Sequence, residues 1–375
     1  MFLKSVFALL LVMNSLCIRA QTNGVTPTTL TLHHIGPFTG QLASSNAESV
    51  NGAEIYFDLI NAKGGINGRK ILLTKIDDKQ DPKESTRIVQ DLINRNELLS
   101  VFMPRTTPST IAIMSITEAA GVPMVGVQTG AIAVSVPFRS SVFTMRASYQ
   151  DEVVSVIKLL HETGSTRFGF LVASDAFGKD VMAGVERALK ELKLSAVSVQ
   201  SVDQQTPEVS VAVDNMIKAG PDTIVLIAGL KGAADFVTQY RKKGGFAKFA
   251  TLSNNGADSF VTALGDYKRG VIVTSVVPSP NRRTSQLVRE YVQVMEGVKK
   301  SPSFVSLYGY VVAKVVTEGL RRAGRNLTPE SLNEALNTLG KYDLGNYVVE
   351  FNNSQHQGSK FVEASIIAGD GKKMN

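Results

Sequence analysis

The sequence predicts an α/β protein with two lobes, each built on a doubly wound parallel β-sheet. The chain has 375 residues, more than one hydrophobic core usually serves, so two lobes of roughly 100–200 residues each are expected. Short β-rich runs alternate with longer helical patterns, which is the rhythm of a parallel sheet. This rhythm restarts near residue 148, where we expect the second lobe to begin.

The first half of the chain carries start and stop signals for its helices. Asp81, Pro82 and Glu84 stand in the first turn of one predicted helix, where a capping residue, a proline and an acid are favourable. Gly64 and Gly65 end the helix before it. We predict strands at 30–35, 69–77, 98–103 and 123–127, and helices at 48–62, 82–94 and 109–120.

The second half repeats this pattern and then changes. Pro278 and Pro280 stiffen a segment that leaves the second run of strands and helices. We predict strands at 167–173, 196–202, 223–228, 248–252 and 270–275, helices at 151–163, 178–192, 207–218, 232–242, 285–299, 304–323 and 329–339, and a strand pair at 347–351 and 361–368.

Residues 1–20 have the composition of a cleavable export signal. Lys4 supplies the positive start, residues 6–13 form a short apolar run, and Ala20 is a small residue at which cleavage can occur. We therefore expect the mature chain to begin near Gln21 and to lie in the periplasm.

Cys17 is the only cysteine of the chain. If it leaves with the signal, neither disulfides nor thiol chemistry take part in the mature protein. Two other interpretations fit less well. A buried N-terminal helix conflicts with the polar residues 22–29, and lipidation of Cys17 requires a small residue where Leu16 stands.

Composition argues against a membrane-spanning protein and against a nucleic-acid-binding protein. With 43% hydrophobic and 19% charged residues, the chain is an ordinary globular sequence without the roughly 18 consecutive apolar residues of a membrane span. Its net charge of +7 is scattered. Because no basic stripe alternates with aromatic residues, we expect no nucleic-acid partner.

The motifs of common α/β enzymes are missing. The sequence contains neither the glycine patterns of nucleotide-binding loops nor a Gly-x-Ser-x-Gly elbow. His33 and His34 are adjacent on a strand and face opposite ways, while His161 and His356 stand alone. We therefore expect a binding protein rather than an enzyme, with neither a metal nor an organic cofactor.

Three predicted strands end in loops dominated by hydroxyl groups and backbone amides. These loops are 36–45, 104–109 and 128–130. Ligands of open α/β sheets lie beyond the carboxyl ends of the strands, where helix N-termini offer unpaired N–H groups. Each threonine taken alone is explained equally well as a helix cap. Three such loops together favour a binding site for an anion or a carboxylate.

Several short stretches together match one known protein family. They are 36–40 (GPFTG), 51–53 (NGA), 60–69 (INAKGGINGR) and 77–82 (DDKQDP), with further similarity at 121–123, 177–178, 309–310 and 323–324. The chain thus resembles the leucine/isoleucine/valine-binding type of periplasmic solute-binding proteins, which serve ABC importers. The resemblance covers essentially the whole mature chain.

The resemblance implies a type I periplasmic binding fold, with two lobes joined by three crossings and the ligand between them. The crossings would fall near 144–149, 275–280 and 345–350. The N-terminal lobe would comprise 28–146 plus 278–346, and the C-terminal lobe 147–277 plus 347–375.

The resemblance also implies the positions of the ligand contacts. The family's carboxylate-binding loops match Thr106 and Thr107, and then Gln128, Thr129 and Gly130. Two ligand-stacking aromatic positions of the family match Ser45 and Phe177, of which only the second is aromatic here.

Departures from the family pattern concern the amino group of the ligand. Amino-acid binders place an acid where this chain has Ser253 and Asn254, and an aromatic residue where it has Leu230. An ammonium group without a carboxylate partner would be poorly compensated for the loss of water. Arg105 beside the cleft also favours an anion. We therefore expect a carboxylate without an α-amino group.

These observations predict a monomeric periplasmic binding component that passes a small organic ligand to an ABC permease in the inner membrane. Branched-chain amino acid-like ligands and amino-group-free organic acids both stay open as ligand classes. Two alternatives to an importer component are a sensory module for a membrane receptor and an α/β enzyme.

Overall fold

The N-terminal part of the chain forms a first parallel sheet. The computed structural model describes residues 23–374 of the whole chain. The strands of the first sheet are β1 (Thr29–Gly36), β2 (Lys70–Asp77), β3 (Val101–Phe102), β4 (Met124–Val125) and β5 (Val142–Phe143). Their order is β2-β1-β3-β4-β5, and all pairs are parallel. The order therefore reverses direction between β1 and β3.

A second sheet follows. It contains β6 (Phe168–Ala173), β7 (Ser198–Val202), β8 (Thr223–Ile227), β9 (Lys248–Thr251), β10 (Val271–Ser275), β13 (Glu363–Ile367) and β14 (Lys373–Met374). The order is β14-β13-β10-β9-β8-β6-β7, with β13 and β14 antiparallel at one edge. Every residue of β6 and β8 is buried, as expected for parallel strands covered on both faces. Here the order reverses between β6 and β8.

Helices cover both sheets, and the helix that starts at Pro82 begins at the cap that the sequence predicts. The Asp81 side chain accepts a hydrogen bond from the Lys83 amide at 2.9 Å, and Ser148 forms a capping box with Asp151. The helices are α1 (Ala43–Ala62), α2 (Pro82–Asn94), α3 (Thr107–Ala119), α4 (Tyr149–Glu162), α5 (Ala176–Glu191), α6 (Ser210–Ala219), α7 (Leu230–Lys242), α8 (Asp258–Leu264), α9 (Gln286–Gly297), α10 (Phe304–Ala323) and α11 (Pro329–Asn337).

The chain passes between the lobes three times. The first crossing, 144–148, leads from β5 to α4, and the second, 276–285, leads from β10 to α9. They overlap the segments 144–149 and 275–280 that the resemblance implies. The third crossing was expected at 345–350, but it lies at 352–362. It runs beside the first crossing, where the Gly358 amide donates to the Thr144 carbonyl at 2.7 Å.

Both strands predicted near the C-terminus are present, but the prediction that they pair with each other is wrong. Strand β12 (Val348–Phe351) pairs with β11 (Gly340–Asp343) as a separate antiparallel ribbon, whereas β13 joins the second sheet. The Phe351 ring packs edge-on against Phe143 in the core of the first lobe, 5.2 Å between centroids. We therefore propose that the first lobe extends to Phe351 rather than to residue 346.

Close packing of α10 on α1 attaches the helices that follow the second crossing to the first lobe. A Cβ added at Gly52 would lie 1.8 Å from the Ser306 carbonyl oxygen, and one at Gly309 would lie 1.8 Å from the Ser49 carbonyl oxygen. Only glycine allows these backbones to approach so closely. The contact brings the start of α10 to the cleft between the lobes.

Some short elements were not predicted, namely α8, β5, β11 and β14. The predicted signal peptide and Cys17 lie outside the described residues. None of the described helices is long and apolar enough to cross a membrane.

Candidate functional site

A cavity of about 240 Å³ lies between the two lobes. It is lined by loops that follow strands of both sheets, close to the positions where each strand order reverses. Such positions are where open α/β sheets bind ligands. Of the residues predicted from the sequence, those that line the cavity are Thr106, Thr107, Gln128, Thr129, Phe177, Ser253 and Asn254.

Three threonines at the start of α3 and after β4 form one wall, here named the hydroxyl cradle (Thr106, Thr107 and Thr129). The Thr107 and Thr129 hydroxyls are hydrogen-bonded to each other at 2.7 Å, and both residues are buried. The Thr106 hydroxyl accepts from the Ser109 amide at 3.3 Å, so Thr106 also caps α3. The cradle therefore presents hydroxyl groups beside the positive end of a helix dipole.

The backbone of the cradle is strained. Thr106 has φ of +65°, which is rare for a β-branched residue. Strain of this kind costs of order 1–3 kcal/mol and clusters at ligand-binding sites. The conformation turns the chain sharply between β3 and α3.

Gln128 and Arg105 extend the cradle on the first lobe. The Gln128 amide nitrogen donates to the Met103 carbonyl at 3.0 Å, which fixes the direction of its side chain. Its oxygen accepts from Arg105 Nη1 at 3.3 Å, and Arg105 Nη2 donates to the Ser45 hydroxyl at 2.8 Å. Ser45 is thus buried behind Arg105 and does not line the cavity.

Two other predicted residues lie outside the cavity lining. The Gly130 carbonyl accepts from the Tyr149 amide at 2.8 Å, and a Cβ at Gly130 would lie 2.8 Å from that nitrogen. Gly130 therefore allows α4 to approach the first lobe. Leu230 packs against the core of the second lobe, and its neighbour Gly229 lines the cavity instead.

The second lobe presents neutral groups at Ser253 and Asn254, the positions at which amino-acid binders of the family place an acid. The Asn254 amide nitrogen donates to the Ala228 carbonyl at 3.0 Å. The Ser253 hydroxyl donates to Glu152 Oε1 at 2.9 Å, so a carboxylate does lie behind this stretch. Glu152 is fully buried and does not line the cavity.

Arg146 joins the two lobes beneath the cavity. It lies in the first crossing, donates to the Gln128 carbonyl at 2.6 Å, and forms an ion pair with Glu152. The same guanidinium donates to the Ser253 hydroxyl at 2.9 Å and lies 4.4 Å from the centroid of the Tyr149 ring. Arg146 was not predicted from the sequence. An arginine within a predicted crossing is the signal that could have found it.

Aromatic residues form the apolar walls. Phe177 at the start of α5 packs edge-on against Tyr149, 4.9 Å between centroids. Phe304 and Tyr308 at the start of α10 complete the wall from the first lobe. The Tyr308 hydroxyl donates to the Val127 carbonyl at 3.1 Å, and burial raises the pKa of Tyr308 to about 12. Of these four rings, only Phe177 was predicted.

Polar residues bridge the mouth of the cleft. The Gln41 side chain on the first lobe donates to the Gln204 carbonyl on the second lobe at 3.1 Å. The Gln204 side chain donates to Asp175 Oδ2 at 2.6 Å, and Asp175 Oδ1 caps α5 at the Phe177 amide. The lobes are therefore in direct contact across the opening.

Comparisons with known proteins identify the same architecture. Residues 29–363 match the family model described as periplasmic binding protein. The Leu/Ile/Val-binding protein homolog 7 of Brucella abortus (strain 2308) is 25% identical to this chain over 337 residues, with 82% of each chain covered.

Solved structures agree. A substrate-binding periplasmic protein from Ralstonia solanacearum is 33% identical and superposes with a TM-score of 0.86, covering 92% of this chain and 99% of that chain. A branched chain amino acid ABC transporter protein from Thermus thermophilus with bound valine shares the fold, with a TM-score of 0.82 at 17% identity, covering 93% of this chain and 96% of that chain. The predicted resemblance and fold class are confirmed. These proteins are substrate-binding proteins and not enzymes, which confirms the expectation of a binding protein.

Proposed function

Because this chain belongs to the periplasmic binding protein family, we propose that it is the substrate-binding component of an ABC importer for a small carboxylate-bearing solute. The solute binds between the lobes and is passed to a permease in the inner membrane. The observation that carries this proposal is the cavity between the lobes, which combines a hydroxyl cradle and an arginine on one lobe with neutral polar groups and the acids Asp175 and Asp203 on the other.

The hydroxyl cradle suits a carboxylate. Thr107 and Thr129 bond to each other, and a hydroxyl pair of this kind can turn one proton toward an anion while the other hydroxyl keeps its partner. At the start of α3, Pro108 has no N–H group and the Ser109 and Thr110 amides donate to Thr106, so of the first four residues only Thr107 can offer its N–H to a ligand. A hydrogen bond to a charged group contributes about 1.5–3 kcal/mol.

The second lobe disfavours a free ammonium group on the ligand. Ser253 already donates its proton to Glu152, and the charge of Glu152 is balanced by Arg146. Asp175 and Asp203 also line the cavity, but both accept hydrogen bonds from the protein, which leaves them fewer acceptor positions for a ligand ammonium. We therefore propose that the preferred ligand is a carboxylate without an α-amino group, with an apolar body between Phe177 and Tyr308.

Calorimetry with two matched ligand series tests this proposal. The first series is leucine, 2-hydroxy-4-methylpentanoate and 4-methylpentanoate; the second is phenylalanine, 3-phenyllactate and 3-phenylpropanoate. We expect the amino-free acids of at least one series to bind at least ten times more tightly than the amino acid. Thr107→Ala should weaken their binding about tenfold or more, and Asn254→Glu should shift preference toward the amino acid.

Thr262→Ala, on the exposed face of α8, is the matched control and should leave binding unchanged. Tight binding of leucine or phenylalanine by the wild type, or an unchanged carboxylate affinity in Thr107→Ala, contradicts the proposal.

Export and cleavage near Ala20 belong to the same proposal. Mass spectrometry of the protein from the periplasmic fraction should give a chain that starts near Gln21. An intact Met1, or a lipid on Cys17, would show that this part of the proposal is wrong. The purified protein should also behave as a monomer in size-exclusion chromatography with light scattering.

A further inference from the structure

Arg105 is a cation in the cavity wall that has only neutral hydrogen-bond partners. It follows β3, lines the cavity and is half-buried. Its guanidinium donates to the Ser45 hydroxyl at 2.8 Å and to the Gln128 side-chain oxygen at 3.3 Å. None of the ion pairs found among residues 23–374 includes Arg105.

The two arginines in the cavity wall differ in their partners. The cavity is lined by a second arginine, Arg146, but its charge is balanced by the buried carboxylate of Glu152. On the second lobe, Asp175 and Asp203 accept hydrogen bonds from amides and from Gln204. Thus Arg105 lines the cavity without a carboxylate hydrogen-bonded to it, while the carboxylates of the lining, Asp175 and Asp203, lie on the second lobe.

The surroundings of Arg105 make this charge costly. Burial lowers the pKa of Arg105 to about 10, an effect that the nearby charge of Arg146 reinforces and that Tyr149 and Glu48 oppose. The guanidinium is still protonated at neutral pH. A cation that has lost part of its hydration gains most from an opposite charge placed against it.

We infer that Arg105 is the counter-ion of the bound solute and that the cavity selects solutes with a net charge of −1 over zwitterions and neutral isosteres. This inference rests on the proposed function, but it assigns the selectivity to a cation on the first lobe rather than to the missing acid on the second. The alternative is that Arg105 only links Ser45 and Gln128 through hydrogen bonds. In that case the affinity for a ligand would not depend on an interaction between its charge and Arg105.

The experiment uses the full mature protein and the two ligand series, extended by the neutral amides 4-methylpentanamide and 3-phenylpropanamide. Calorimetry should show that the better-bound acid loses about 10- to 100-fold in affinity when its carboxylate becomes an amide. Arg105→Gln keeps hydrogen-bonding capacity toward Ser45 but removes the charge. It should weaken binding of the acid by a similar factor and change binding of the amide, which has no carboxylate, by less than about threefold.

Two further variants separate charge at the site from other effects. Arg105→Lys keeps the charge and should retain more acid affinity than Arg105→Gln. Arg95→Gln removes the same charge from an exposed residue on the surface of the first lobe and should leave every affinity unchanged. Thermal unfolding without ligand should be alike for both glutamine variants, which shows that the cavity is intact.

The results distinguish this inference from the proposed function. If no acid of either series binds the wild type, the carboxylate assignment fails and this inference fails with it. If acids bind but the matched amides bind equally well, or Arg105→Gln weakens acid and amide alike, the proposed function stands and the assignment of Arg105 as the counter-ion is overturned.

Discussion

The buried pair of Arg146 and Glu152 makes the sharpest stability prediction. Glu152 accepts hydrogen bonds from Arg146, from the Ser253 amide at 2.9 Å, from the Ser253 hydroxyl at 2.9 Å and from Thr274 at 2.5 Å. Arg146 is 5% exposed and Glu152 is 0% exposed. Because both side chains are buried, Glu152→Ala leaves a largely desolvated guanidinium with only carbonyl and hydroxyl partners.

Removing one partner of a buried ion pair typically costs 3–5 kcal/mol, so we expect a loss of about 4 kcal/mol in the free energy of unfolding. Replacing both partners with apolar residues, in Arg146→Met with Glu152→Leu, should cost less than Glu152→Ala alone, since no uncompensated charge is then buried. Urea unfolding of the ligand-free protein, followed by far-UV circular dichroism, measures both values.

Glu84→Ala is the matched control, because it breaks an ion pair with Arg87 of 2.7 Å that is exposed to solvent. The unfolding midpoint of this variant should stay close to that of the wild type. A loss below about 1 kcal/mol in Glu152→Ala, or a double variant less stable than the single one, would refute the reasoning.

Two other predictions follow from single side chains. Gln41→Ala removes the hydrogen bond to Gln204 across the cleft. In stopped-flow experiments the ligand should therefore dissociate several times faster, while its association rate changes little. An unchanged dissociation rate would show that this contact does not hold the lobes closed. Burial lowers the pKa of His34 from 6.5 to about 4, so the native protein excludes a proton that the unfolded chain binds. Its contribution to stability is complete above pH 6.5 and is lost as the pH falls toward 4, by about 3 kcal/mol in all. His34→Gln should therefore flatten the pH dependence of unfolding between these values, and an identical slope would contradict the assignment.

Local patterns were enough to predict most of the fold. Helices α2 and α10 begin and end where the sequence predicts, because an Asp-Pro start at α2 and a Gly324 stop at α10 act within one turn. Strands β6 and β8 are continuous apolar runs, which is typical of buried parallel strands. The hydroxyl cradle was also predictable, since it lies directly after the strands of the first sheet.

Only the tertiary structure decided which residues meet across the cleft. Arg146 contacts Ser253, which is 107 residues away, and Gln41 contacts Gln204, which is 163 residues away. No local spacing encodes such pairs, because they depend on how two separately folded lobes are placed by the crossings. For the same reason the partner of β12 was predicted wrongly, since antiparallel pairing is set by contacts and not by the strand's own sequence.

The charged groups of the site also show which features the sequence determined and which the tertiary structure decided. From the sequence, the stretch with Ser253 and Asn254 lacks an acid and Arg105 stands near the cleft. The structure adds that Glu152 reaches this stretch from α4 and balances Arg146, while Arg105 is left with Ser45 and Gln128. Sequence therefore determined which charges exist near the cleft. Burial and three-dimensional placement decided which of them are compensated, because the energy of a charge depends on its distance from its partners and from water.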